Sequence, residues 1–123
     1  MAATILYVED KHERLATLKA ILQQLGYNVL TADNGRDALE LFQNNPVQLA
    51  IVDYRMPGMM GDVVAHEIKR RDPNLPVIIF SGVLSLPERV MAMVDGFIST
   101  SEEPDSLLDK IAELLPVSRA QAG

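Results

Sequence analysis

The chain has 123 residues, a length that fits one compact domain with its own core, without disulfides or a structural metal. Hydrophobic residues make up 48%, which argues against a disordered chain, and the absence of cysteine removes disulfides, thiolate zinc sites and cysteine nucleophiles together. A formal net charge of −6 argues against nucleic-acid binding by this chain alone, and no apolar run approaches a membrane span.

Thr4 to Val8 reads as a buried strand. It is too short for the apolar core of a signal peptide, and Glu9-Asp10 follows at once, so a cytoplasmic location is expected. From Lys11 onward Leu15, Leu18, Leu22 and Leu25 recur at helical steps until Gly26, a residue tolerant of positive φ, ends the helix. Asn28 to Ala32 is a second strand, Asn34-Gly35 a turn, and Ala38, Leu39 and Phe42 mark a second helix that Asn44-Asn45-Pro46 ends. Leu49 to Val52 lacks polar alternation, as in a strand covered on both sheet faces. After the Pro57-Gly58 loop, Val63, Val64 and Ile68 mark a third helix that breaks near Asp72-Pro73. Val77 to Phe80 is a fourth strand, and Ser85-x-x-Glu88 with Pro87 resembles a capping box opening a fourth helix. Phe97 to Ser99 is a short fifth strand. Pro104 then opens a last helix with Leu107, Leu108, Ile111, Leu114 and Leu115 inward, ended by Pro116. Residues 1–116 form the expected domain, with 117–123 as a frayed tail.

Strict alternation of five strands and five helices predicts an α/β fold, a doubly wound five-stranded parallel sheet with helices on both faces. Ligands in such sheets bind at the carboxyl ends of the strands. Those positions hold Glu9-Asp10 after the first strand, Asp53 after the third, Ser81 after the fourth and Thr100 after the fifth. Two carboxylates about 4 Å apart repel by about 4 kcal/mol at an effective dielectric near 20. A cation relieves this, and an all-oxygen ligand set favours a hard ion such as Mg²⁺. A carboxylate is also a possible nucleophile toward phosphorus, and a neighbouring serine can donate to a phosphoryl oxygen. Taken singly, Glu9 or Asp10 serves equally as a cap for the helix near Lys11, and Ser81 as a turn residue. Their convergence at one sheet edge is what favours a site.

The chain resembles response-regulator receiver domains over about residues 4 to 115. The pieces that carry the resemblance are Ile-Leu-Tyr-Val-Glu-Asp (5–10), Ile-Val-Asp-Tyr-Arg-Met-Pro-Gly (51–58), Val-Ile-Ile-Phe-Ser-Gly (77–82) and Asp-Gly-Phe-Ile (95–98). The resemblance implies a flavodoxin-like fold and a bacterial phosphoprotein of two-component signalling, a phosphoryl acceptor rather than an enzyme in its own right. It implies that Asp53 accepts a phosphoryl group from a histidine kinase or histidine phosphotransfer protein. Glu9, Asp10, Asp53 and the backbone carbonyl of Arg55 would hold Mg²⁺, Ser81 would turn toward the phosphoryl group, and Phe97 occupies the switch-aromatic position. A downstream protein would dock on the face of the fourth helix, fifth strand and fifth helix. A homodimer is left open, and neither membrane nor nucleic acid is expected as a partner.

The sequence departs from the family after the fifth strand, where a lysine and usually a proline stand. Here the residues are Thr100-Ser101, with no Lys or Arg between Arg89 and Lys110. Thr100 can donate a hydrogen bond but brings no charge, and the missing proline removes the usual reason for a cis peptide. Arg55, on a loop facing the crevice, is a candidate substitute, weighed against a solvated surface arginine. The stretch from Ser81 to Phe97 is short for the family, which predicts a short or irregular fourth helix. The alternative function is an interaction module that is poorly phosphorylated or uncoupled. An aspartate-nucleophile phosphatase is disfavoured because Arg55 stands where a second acid is needed, and a flavin domain because Glu9-Asp10 would repel a phosphate monoester. His12 and His66 lack ligand partners at a convincing spacing, the methionines read as packing residues, and Arg70-Arg71 reads as a helix C-terminal charge pair. Eight residues remain after Leu115, so no output domain is expected in this sequence, which is either a stand-alone domain or part of a longer protein.

Overall fold

The structure, a computed structural model, describes residues 2–102 and 104–115. Its elements run β1 (Thr4–Val8), α1 (His12–Gln24), β2 (Asn28–Ala32), α2 (Gly35–Asn44), β3 (Leu49–Val52), α3 (Gly61–Arg71), β4 (Val77–Ser81), α4 (Glu88–Met91), β5 (Gly96–Ser99) and α5 (Pro104–Leu114). The strands form one parallel sheet in the order β2-β1-β3-β4-β5. This is the expected doubly wound α/β sheet.

Alternation along the central strands divides the core in two. Leu6, Val8, Ala50, Val52, Val77 and Ile79 pack toward α2, α3 and α4 with Ala38, Val64, Ile68 and Val90. Ile5, Tyr7, Leu49, Ile51 and Ile78 pack toward α1 and α5 with Leu18, Leu22, Leu107 and Ile111. A strand buried on both faces has no polar alternation, which is why β1 and β3 read as continuous apolar runs. The edge strand β2 is partly exposed along its length.

Helix ends are set by local chemistry. Gly26 has φ +97°, and two bonds, Gly26 N–H to Gln23 O at 3.0 Å and Tyr27 N–H to Leu22 O at 3.2 Å, close a Schellman motif after α1. Asn34 caps α2, accepting the Asp37 N–H at 2.9 Å. Helix α4 is a single turn, as the short stretch predicted. The capping box expected at its start does not form. Pro87 itself stands at the N-cap with extended backbone (ψ 148°) and offers no side-chain acceptor. Leu25 and Val63, which mark the ends of the helical patterns, are exposed, Leu25 because it is the C-cap residue past the last inward turn of α1. No cis peptide occurs among the described residues. The proposed helix stop at Pro116 and the proposed tail lie outside them.

Candidate functional site

Sheet register builds the site. Val8 pairs with Val52, so the residues that follow leave the sheet side by side. The Asp53 N–H donates to Val8 O at 2.9 Å and the Glu9 N–H to Ala32 O at 3.0 Å, which extends the ladder and fixes both backbones. One ligand atom from each of Glu9, Asp10 and Asp53 lies within 4.8 Å of the others. Glu9 is fully buried and Asp53 3% exposed, while Asp10 sits at the rim. Neither acid of the pair is the N-cap of α1; that position is Lys11, whose N–H donates to Glu9 Oε2 at 3.2 Å.

The electrostatics of the cluster follow from this burial. Burial pushes the Glu9 carboxyl up to about 7, and the neighbouring Asp53 charge adds to it, while the Lys11 N–H and the Arg14 guanidinium pull it down. Burial and the Glu9 charge also push the Tyr7 phenol up. Asp10 Oδ1 is buried and accepts no hydrogen bond; the Lys11 ammonium is 4.0 Å away, outside hydrogen-bonding range. Crowded acids with an unpartnered buried oxygen, and no nitrogen or sulfur donor, fit a hard divalent cation such as Mg²⁺.

Ser81, 2% exposed, ends β4 beside this cluster. It lines a cavity of about 570 Å³ with Lys11, Arg14, Asp53, Arg55 and Ser85. The Arg55 side chain is exposed at the mouth. Thr100 stands next to Ser81 through its N–H, which donates to Ser81 O at 2.9 Å. Its side chain lies beside Gly82 and lines a separate groove with Arg14, Phe80 and Glu102. The structure therefore gathers Glu9, Asp10, Asp53 and Ser81, and sets Thr100 one groove away. Phe97 is half-buried against the core on the α2–α4 side. His12 pairs with Asp33 at 3.2 Å away from the cluster, and His66 is exposed.

Two contributors were missed in the sequence. A Cβ at Gly61 would overlap the Asp53 carbonyl oxygen, and the Gly61 N–H donates to Tyr54 O at 2.7 Å, so only glycine lets the loop after β3 fold back onto itself. Arg14 pairs with Glu9 at 3.4 Å. Its signal was present: Arg14, Leu18 and Leu22 follow one another at four-residue steps, and both leucines are buried.

The response regulator receiver domain family matches residues 5–112. The chain is 34% identical over 112 residues to the autoinducer 1 sensor kinase/phosphatase LuxN of Vibrio campbellii, covering 91% of this chain and 13% of that protein. It is 34% identical to the transcriptional regulatory protein GlrR of Escherichia coli, covering 94% of this chain and 27% of GlrR. The chain thus spans a small part of these curated relatives. Among solved structures it resembles the response regulator TrrA of Thermotoga maritima in complex with Mg²⁺-BeF, with 32% identity, a TM-score of 0.87 and coverage of 92% of this chain and 99% of TrrA. TrrA has also been solved in complex with the histidine kinase ThkA, where the TM-score is 0.85 with 32% identity, over 92% of this chain and 98% of that one. With the strand order, the acidic edge and these likenesses in agreement, the chain belongs to the response regulator receiver domain family of two-component signalling.

Proposed function

We propose that Asp53 accepts a phosphoryl group in a Mg²⁺-dependent reaction and that the domain thereby switches a protein-binding face. The observation that carries this reading is the convergence of Glu9, Asp10 and Asp53 within 4.8 Å, with Ser81 lining the same crevice as Asp53. Glu9, Asp10, Asp53 and the backbone carbonyl of Arg55 are the proposed metal ligands. When bound, Mg²⁺ neutralises the acids and screens an incoming phosphate.

The donor is a phosphohistidine on a histidine kinase or phosphotransfer protein. An Asp53 carboxylate oxygen forms the O–P bond as the N–P bond breaks, and the bonding pair stays on the imidazole nitrogen. Ser81 then donates its hydroxyl to a phosphoryl oxygen, and Phe97 repacks with it. Output follows only if a partner binds the two conformers with different affinity. The proposed face is α4, β5 and α5. Among the described residues no helix is long and apolar enough to cross a membrane, and we place the domain in the cytoplasm.

The test is to incubate the chain with Mg²⁺ and acetyl phosphate and to read intact mass. A single phosphoryl adduct, absent without Mg²⁺ and in Asp53→Asn, is the expected result. No adduct on the wild type would favour the second reading, an interaction module uncoupled from phosphorylation, which Thr100 in the lysine position supports.

A further inference from the structure

Three acids crowd together at the end of the sheet, and β5 supplies no cation beside them. Thr100 is neutral, and Lys110, the next basic residue after Arg89, packs its chain over Gly96 at the opposite end of β5 and pairs with Glu113 at 3.0 Å. Three cations line the cavity that contains Asp53: Lys11, Arg14 and Arg55. Lys11 (side chain 61% exposed) and Arg55 keep their heads in solvent, whereas the Arg14 side chain is only 34% exposed. Its Nη1 lies 3.4 Å from Oε1 of the fully buried Glu9.

Arg14 also lines the adjoining groove with Thr100, so it spans the gap between the acidic edge and the end of β5. A guanidinium carries five N–H donors in a planar fork suited to phosphate. Here one of them contacts Glu9, and none of the others has a protein partner among the described residues. An anchored cation with free donors in the lining of the cavity is what a phosphoryl group on Asp53 would meet.

We infer that Arg14 is the phosphoryl-site cation of this receiver, held by Glu9 and reaching from α1 into the space that a β5 lysine would otherwise fill. The role rests on phosphorylation at Asp53 as proposed above. It makes the cation a property of the first turn of α1, and it frees position 100 from carrying charge.

The decisive comparison is between wild type, Arg14→Gln and the double variant Arg14→Gln/Thr100→Lys. Thermal unfolding is the check that each is folded, and Arg14→Lys serves as the conservative variant. Adduct formation from acetyl phosphate at saturating Mg²⁺ should fall about tenfold in Arg14→Gln, the size of a lost charge-assisted hydrogen bond. It should recover in the double variant and largely persist in Arg14→Lys. Calorimetric titration with Mg²⁺ alone, at a pH where the acids are ionised, should show tighter binding in Arg14→Gln, because a competing positive charge has gone, and a return toward wild type in the double variant. A purely structural arginine would weaken both processes, and a lysine at position 100, far from α1 in sequence, would rescue neither. An unchanged adduct rate in Arg14→Gln, or no rescue by Thr100→Lys, overturns the assignment. If the wild type takes no phosphoryl group, the reading of Asp53 fails by itself. The Mg²⁺ arm then decides Arg14: tighter binding reversed by Thr100→Lys supports it as the site cation, and unchanged affinity overturns it.

Discussion

The Cα of Gly61 lies against the carbonyl of Asp53, so closely that a Cβ there would overlap the oxygen. The first residue of α3 thus sets the path of the backbone that carries the phosphoryl-acceptor candidate. Gly61→Ala must push the two segments apart, and the 2.7 Å bond from Gly61 N–H to Tyr54 O is strained or lost. We expect a loss of about 2–4 kcal/mol in chemical denaturation, in the range for overpacking combined with a broken buried hydrogen bond. Mg²⁺ affinity should fall as well, because Asp53 moves with its carbonyl. A variant with wild-type stability and affinity would mean that the loop has slack the contact does not reveal.

At the other end of the sheet, Asp95 Oδ2 accepts from Lys69 Nζ at 2.6 Å and from the Val77 N–H at 2.8 Å, joining α3, β4 and the start of β5. Asp95→Ala would leave the Val77 N–H unpaired and a mostly buried Lys69 ammonium, its side chain 16% exposed, with only the long 3.5 Å bond to Pro73 O. The expected cost is about 2 kcal/mol, or roughly 5–8 °C in Tm for a domain of this size. Asp95→Asn, which keeps an acceptor for Val77, should lose about half of that. Mg²⁺ affinity should stay unchanged in both, as the residue lies at the amino ends of β4 and β5.

How much of this could be read from the chain depends on which signal each residue emits. The doubly wound parallel sheet followed from alternation and handedness, and the acidic edge followed because Glu9, Asp10 and Asp53 directly succeed apolar runs. Gly61 emitted nothing distinctive, because the need for glycine there comes from a backbone eight residues away in sequence, Asp53. Arg14 was passed over because the helix was read from its leucines alone. A polar residue continuing that stripe at the end nearest the site was the overlooked sign. The capping box at Ser85 failed for a different reason: the motif is satisfied by residue type, but Pro87 takes the cap position with an extended backbone.

Asp10 offers a way to separate the proposed metal binding from folding. Its Oδ1 is buried without a hydrogen bond, beside two other acids. Asp10→Asn removes one charge from a repelling cluster and so should leave the metal-free protein as stable as wild type, or up to about 1 kcal/mol more stable. The same change should weaken Mg²⁺ binding about tenfold, since a neutral oxygen replaces a carboxylate ligand. Calorimetric titration and thermal unfolding of the metal-free protein give the two numbers. A parallel fall in both would assign Asp10 to the fold instead.

Glu9 makes the domain's stability depend on pH in a direction opposite to that of most carboxylates. Its folded-state value is raised from 4.5 to about 7, chiefly by burial. Between those values the folded chain holds a proton that the unfolded chain has released, so stability falls as pH rises through that window. The surface acids Asp33 and Glu67 are shifted the other way, and their contributions fade only in more acidic solution, below the ordinary carboxylate range. Metal-free protein should therefore unfold at a lower temperature at pH ~8 than at pH ~5.5, and Glu9→Gln should flatten that slope. Mg²⁺ needs the ionised carboxylate, so its stabilising effect should be largest at the alkaline end and fade as pH drops through about 7. A thermal-unfolding series across this range, with and without Mg²⁺, gives both slopes. If Mg²⁺ stabilised the protein equally at the two ends, a buried Glu9 competing between proton and cation would be untenable.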